Sequence, residues 1–130
     1  DPRLPYAQYL HVIQPNIPKG PSDWQNPDGA ADHVDYPYYP TRAIAELRDL
    51  LVELRAVLPK VQVPVLLVHS HKDGGVPPLN AEQIYSHLKA EDKTLLWVEN
   101  SGHVITREPD RQQVFEASEA FIKRVTASQA

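Results

Sequence analysis

Two positions in this sequence carry side chains that could perform acid–base chemistry, and each follows an apolar run. The run Val63–Val68 leads to Asp73, and the run Thr94–Glu99 leads to His103. A carboxylate that bonds to an imidazole Nδ1–H fixes the tautomer and stabilises the imidazolium formed when the ring takes a proton. We therefore expect Asp73 and His103 to form an acid–base pair, with a carboxylate oxygen about 2.6–3.2 Å from Nδ1.

The loop that carries Asp73 also allows a metal site as an alternative. His69, His71 and Asp73 read H-x-H-x-D after an apolar run, and alternate loop positions can place two imidazoles and a carboxylate around zinc. The pattern resembles the H-x-H-x-D-H motif of the metallo-β-lactamase fold, but the final histidine is Gly74 here. We expect no metal at these residues and no cofactor.

The elements that would position the acid–base pair are parallel strands. Five of the six residues in Val63–Val68 are Val or Leu, and a run without polar alternation is typical of a parallel strand buried on both faces. The run Thr94–Glu99 predicts a second strand. In open α/β sheets, ligands and catalytic residues lie just past the carboxyl ends of the strands.

Three helices are predicted around these strands. An apolar stripe from Ile44 to Leu58 indicates an amphipathic helix, with Thr41 as its N-cap. Asn80 is the expected N-cap of a second helix that extends to about Lys89, with Gln83 at the capping-box position. The last helix begins near Pro109. The order from Thr41 is therefore helix, strand, helix, strand, helix, which predicts an α/β domain with crossover helices.

Residues 1–40 differ from the rest in composition, because they hold eight of the thirteen prolines. Proline fixes φ and removes a backbone donor, so long helices and central strands are not expected there. Tyr6–Leu10 is predicted to form a short helical turn. We interpret residues 1–40 as a cap, lid or linker segment, and residues 41–130 as the main domain.

Composition excludes several classes of function. The net charge of -4 gives no reason to expect nucleic acid as a partner. The absence of cysteine excludes disulfides, thiolate metal sites and thiol catalysis. No apolar run approaches the roughly 18 residues of a membrane span, and no signal-peptide pattern opens the chain; we expect a cytoplasmic protein. The sequence begins at Asp1 and lacks methionine, so we expect a processed chain or a fragment.

Several segments together resemble the C-terminal part of α/β-hydrolases, and in particular the bacterial carboxylesterase and monoacylglycerol lipase group. The resemblance extends over about residues 36–125, with a looser likeness before them, and it is carried by Pro64–Val68, Asp73, Val76–Pro78, Asn80–Ala81, Ile84–Tyr85 and Trp97–Val104. It implies the catalytic order Ser…Asp…His. Asp73 then matches the acid and His103 the base, while Val76 and Val104 would touch the acyl chain. Gly102 is expected to allow a tight turn.

The resembled family also has a nucleophilic serine, and this sequence departs from the family there. No G-x-S-x-G occurs, and none of the six serines lies on a strand-turn-helix elbow. The resemblance implies a serine carboxylic ester hydrolase for short- or medium-chain acyl esters or monoacylglycerols, with its serine in a missing N-terminal half. We expect this chain alone to be inactive, and to partner that half or a second copy of itself. A non-enzymatic pseudo-hydrolase interaction module is an alternative.

Overall fold

The computed structural model describes residues 6–127; Ser128, one of the six serines considered above, lies outside them. The first two helices and the first two strands are short, and the elements that follow are longer. The elements are α1 (Ala7–Leu10), β1 (Asn16–Pro18), α2 (Pro27–Ala31), β2 (Tyr38–Pro40), α3 (Thr41–Val57), β3 (Val65–Ser70), α4 (Leu79–His87), β4 (Lys93–Val98) and α5 (Arg111–Ala127). The expected short helical turn is α1, and the order from α3 onward is the predicted one.

The chain divides into two compact units that interleave along the sequence. One comprises Asp1–Pro21 and Val34–Pro59, and the other comprises Ser22–His33 and Lys60–Ala130. Both units draw residues from before and after position 40. The proposed role of residues 1–40 as a cap or linker stays a prediction.

In the first unit, β1 and β2 form an antiparallel pair in which Ile17 lies opposite Tyr39. The helix α3 follows β2 directly. Its N-cap is Pro40 rather than the predicted Thr41, which is the first helical residue. The Thr41 hydroxyl donates to the carbonyl of Gln14 instead of capping the helix, because Pro40 already provides the extended backbone at the cap position.

In the second unit, β3 and β4 are parallel, as predicted, with Val65 opposite Lys93 and Ser70 opposite Val98. The helix α4 contacts both strands, and α5 contacts β3. Val98 is fully buried, and Leu88 is also buried. Ser70 and Val98 are the last residues of these two strands and lie opposite each other. The loops that follow the strands therefore start at the same edge of the sheet.

The strand β3 differs from its prediction in extent and in burial. It begins at Val65, after Pro64, which has no N–H for the ladder, and it includes His69 and Ser70, which we expected in the loop. Its residues before Ser70 are half-buried rather than buried on both faces. Within residues 6–127, β3 and β4 form a two-stranded sheet, so one edge of β3 has no described strand beside it.

The helix α4 also starts differently from the prediction. Pro78 occupies the N-cap position, and no side chain caps the helix. Asn80 lies inside the first turn, where its N–H bonds to the carbonyl of Pro77. The expected capping box at Asn80 and Gln83 is therefore wrong, and the helix ends at His87 rather than Lys89. The last helix, α5, begins two residues after Pro109.

Candidate active site

The acid loop is a tight turn closed by its own aspartate. Asp73 follows the end of β3, and its N–H bonds to the carbonyl of Ser70 at 3.3 Å. The carboxylate Oδ1 accepts the N–H of Gly75 at 2.8 Å and the N–H of Val76 at 2.7 Å. An aspartate that bonds to backbone N–H groups just after it is a common way to fix a turn. The Asp73 side chain is thereby held in place and is only 4% exposed.

The histidine of the base loop meets this carboxylate. His103 Nδ1 lies 3.0 Å from Asp73 Oδ2 and 3.1 Å from Oδ1, so the predicted contact is present. The His103 side chain is 53% exposed. In the tautomer whose Nδ1–H donates a hydrogen bond to the carboxylate, the neutral ring has a free lone pair on Nε2. This is the arrangement that an imidazole base requires.

The environment of Asp73 favours its charged form. Burial opposes ionisation, but the hydrogen bonds from the N–H of Val76, from His103 and from the N–H of Gly75 outweigh it and hold the pKa of the Asp73 carboxyl below its usual value. Asp73 is thus a carboxylate at neutral pH. It can orient the imidazole and stabilise its protonated form.

The two other histidines near β3 do not join Asp73 in a ligand set. His69 Nε2 is 3.0 Å from the carbonyl of Val76 and 3.7 Å from Asp73 Oδ2. His71 instead stacks on Trp97 with ring centroids 4.2 Å apart, and its Nδ1 is 2.8 Å from Glu99 Oε1. Within residues 6–127, no three His, Cys, Asp or Glu side chains are grouped to hold a metal ion. The geometry gives the metal alternative no support.

The base loop is held by Asp110, which sequence reasoning did not single out. Its carboxylate accepts the N–H of Asn100 at 2.6 Å, the Asn100 side-chain amide at 3.3 Å and the hydroxyl of Ser101 at 3.0 Å. Burial opposes ionisation of Asp110, but these bonds outweigh it and lower the pKa of its carboxyl. The position of Asp110, just before α5, was the one signal of this role.

The serines nearest the site are fully buried and bonded to other groups. The Ser70 hydroxyl donates to the carbonyl of Ser101, and the Ser101 hydroxyl donates to Asp110 at 3.0 Å. Both residues are fully buried. They connect the ends of the two loops and are not placed as nucleophiles.

A second missed residue is Asp23, whose Oδ2 accepts the N–H of Gly74 and the N–H of His103, each at 2.8 Å. The close approach of Asp23 explains why glycine occupies positions 74 and 102. A Cβ on Gly102 would lie 2.4 Å from the Asp23 carbonyl oxygen, and one on Gly74 would lie 2.9 Å from Asp23 Cβ. No glycine in residues 6–127 has a positive φ, so the close approach of Asp23, rather than the tight turn that we expected, explains glycine at position 102.

The residues predicted to contact substrate flank the pair. Val76 donates its N–H to Asp73 and is exposed, and Val104 follows His103 and is half-buried. Their contact with an acyl chain stays a prediction. Within residues 6–127, no helix is both long and apolar enough to cross a membrane.

Comparison with known proteins shows that this chain is similar to hydrolases. Residues 29–110, which include Asp73 and His103, match the family described as Serine aminopeptidase, S33. The chain is 31% identical over 103 residues, or 79% of its length, to the thermostable monoacylglycerol lipase of Bacillus sp. (strain H-257). It is 29% identical over 86 residues, or 66% of its length, to a carboxylesterase of Bacillus subtilis (strain 168).

A solved structure from work on LipS and LipT, two metagenome-derived lipolytic enzymes, superposes with a TM-score of 0.85 and 33% identity over 95% of this chain. The chain covers 50% of that structure. It covers 40% of the monoacylglycerol lipase and 35% of the carboxylesterase. The chain therefore spans half or less of the length of these relatives.

Proposed function

The chain belongs to the Serine aminopeptidase, S33 family of hydrolases, and on that premise we propose that it supplies the acid and base of a serine carboxylic ester hydrolase. Its parallel strands and helices are consistent with part of an α/β-hydrolase fold. The observation that carries the proposal is the bond between His103 Nδ1 and the buried Asp73 carboxylate. Both residues follow neighbouring parallel strands, where such folds hold their catalytic groups.

The serine of this mechanism comes from a segment outside the 130 residues. Its Oγ attacks the ester carbonyl while His103 Nε2 takes the hydroxyl proton. His103 then gives that proton to the leaving alcohol as the carbon–oxygen bond breaks, and an acyl-enzyme remains. Water, activated by the same nitrogen, releases the acid and restores the serine. Asp73 orients the ring and stabilises its cation in both steps.

We propose short- or medium-chain acyl esters or monoacylglycerols as substrates, because the similar Bacillus proteins are a monoacylglycerol lipase and a carboxylesterase. Val76 and Val104 would contact the acyl chain. The proposed partner is an N-terminal half of the same hydrolase, which would carry the nucleophile. The alternative is that the chain alone forms a homodimer. The chain alone should be inactive, and the cytoplasm is the expected location.

A fluorophosphonate probe tests this proposal, because it labels activated serines. In the complete hydrolase that contains this sequence, we expect one labelled serine outside the 130 residues, and we expect His103→Ala to abolish both labelling and ester hydrolysis. A label on a serine within the 130 residues would contradict the proposal. Absence of labelling in a folded wild-type protein would favour the non-enzymatic interaction module.

A further inference from the structure

The short segment 22–33, outside the two strand-loop regions, places a carboxylate between the acid and base loops. The segment belongs to the same unit as both loops. Asp23 Oδ2 accepts the N–H of Gly74, which follows the acid, and the N–H of the base residue His103, each at 2.8 Å. One oxygen atom thus binds two residues that lie 51 and 80 positions after Asp23 in the sequence.

The segment that carries Asp23 is itself anchored beside the base loop. Glu108 is fully buried, and its carboxylate accepts the N–H of Gln25 at 3.1 Å and the N–H of Asn26 at 2.9 Å. The Asn26 side-chain amide donates to the carbonyl of Arg107 at 2.7 Å. Asp23 is therefore attached to a fixed segment, and its bonds to the two loops constrain their separation.

The backbone around Asp23 is packed at the limit of close approach. A Cβ at Gly74 or Gly102 would lie 2.9 Å or 2.4 Å from an Asp23 atom, distances that would force a shift. Only residues without a side chain fit at these two positions. The contact of Asp23 with both loops thus depends on glycine beside each catalytic residue.

From this arrangement we infer that Asp23 is a positioning residue, which holds the acid and base loops at the separation that Asp73 and His103 need to act together. Asp73 sets the orientation of the His103 ring, and Asp23 sets the position of its backbone. A carboxylate is suited to this role because charged acceptors make hydrogen bonds about twice as strong as neutral ones. The inference rests on the proposed function, since the separation of the pair matters to turnover only if the pair is catalytic.

The test is a pair of substitutions in the complete hydrolase. Asp23→Asn has the same shape but offers only a neutral oxygen, so we expect kcat to fall about 3- to 10-fold. Asp23→Ala removes the acceptor, and a loop displacement of this kind can lower kcat by about 10- to 100-fold. KM should stay within about twofold of wild type for both, because Asp23 orients catalytic groups rather than binding substrate. Asp28→Asn, an exposed carboxylate in the same segment, is the matched control and should leave kcat unchanged.

Amide hydrogen exchange separates this inference from the proposed function. In the same intact proteins, both Asp23 variants should accelerate exchange at Gly74 and at His103, with Asp28→Asn matching wild type. An inactive wild type would count against the proposed function, while exchange would still decide the role of Asp23. The inference is overturned if Asp23→Asn keeps the wild-type kcat, if its loss lies in KM alone, or if exchange at both amides is unchanged.

Discussion

The loops around Asp73 and His103 differ from the helix α3 in whether neighbouring residues satisfy their side chains. Around the loops, the carboxylates of Asp23, Asp73 and Asp110 each accept two or more hydrogen bonds. Within residues 6–127, no buried side-chain nitrogen or oxygen lacks a partner. The polar groups of these loops are thus hydrogen-bonded to nearby residues of the same unit.

The helix α3 instead leaves large apolar side chains exposed. Leu47 is 51% exposed and Leu50 is 62% exposed, and Leu51 is exposed as well. Apolar residues at helical spacing normally face a core. The geometry of the acid and base is set by residues of one unit, whereas the proposed N-terminal half or second copy would supply the cover for α3. The substitutions that follow are made in the complete hydrolase unless stated otherwise.

The largest expected effect is on turnover and comes from Asp73→Asn. The substitution should preserve the fold and lower kcat by up to roughly 10⁴-fold, because the imidazole loses the partner that fixes its tautomer. Steady-state kinetics on an ester measures it. Asp92→Asn is the control, since Asp92 is a carboxylate of the same unit that pairs with Arg124 instead. Equal losses in the two variants would contradict a specific role for Asp73.

The next effect is on stability and comes from Glu108→Ala. Two backbone donors, on Gln25 and Asn26, lose their charged acceptor, which should lower the free energy of unfolding by about 2–5 kcal/mol. Urea denaturation measures the change. Glu119→Ala, whose exposed carboxylate pairs with Lys123, should cost no more than about 0.5 kcal/mol. Similar values for the two variants would show that the buried carboxylate does not anchor the segment.

A pair of glycine substitutions compares the two units directly. Gly102→Ala would bring a Cβ to 2.4 Å from the Asp23 carbonyl oxygen, and such overpacking costs about 1–3 kcal/mol. Gly20→Ala, in the other unit, meets no atom within 4 Å and should be neutral or stabilising by about 0.4–1 kcal/mol. Thermal unfolding of both variants measures the difference. The idea of a tightly packed base loop fails if Gly102→Ala is as stable as Gly20→Ala.

The smallest effect is the dependence of stability on pH. The pKa of the Asp110 carboxyl is lowered in the folded protein, so its contribution is present above the usual value of 3.8 and is lost as pH falls through the folded pKa. Urea unfolding at a series of pH values between about 5 and 1 follows this loss. Asp110→Asn cannot titrate, so its stability should fall less over this range. Parallel curves for variant and wild type would contradict the assignment.

The acid–base pair was predictable because apolar runs and consecutive parallel strands determine where their following loops lie. The presence of a strand before Asp73, although not its bounds at Val65–Ser70, and the contact of Asp73 with His103 both follow from that rule. Asp23 was not predictable, because it lies in a proline-rich segment without periodicity and meets residues 51 and 80 positions away. No local pattern records such a contact.

The capping predictions failed for a shared reason. Thr41 and Asn80 are residue types that commonly cap helices, but Pro40 and Pro78 take the cap positions before them. Proline is tolerated at the start of a helix because the N–H groups there have no intrahelical partner, so its missing N–H costs no bond. Neither Thr41 nor Asn80 occupies an N-cap, so both capping predictions are wrong.

We propose that this chain holds the acid and base of a hydrolase whose serine lies elsewhere, and an experiment on the 130-residue chain alone can decide this. The purified chain is examined by analytical ultracentrifugation, and the same sample is assayed for ester hydrolysis. We expect no hydrolysis, and we expect association or unfolding, because each large apolar side chain left exposed, such as Leu47, forgoes about 1.5–3 kcal/mol. The edge of β3 that has no described strand beside it also favours pairing with another chain. A compact monomer that hydrolyses esters would contradict the proposal.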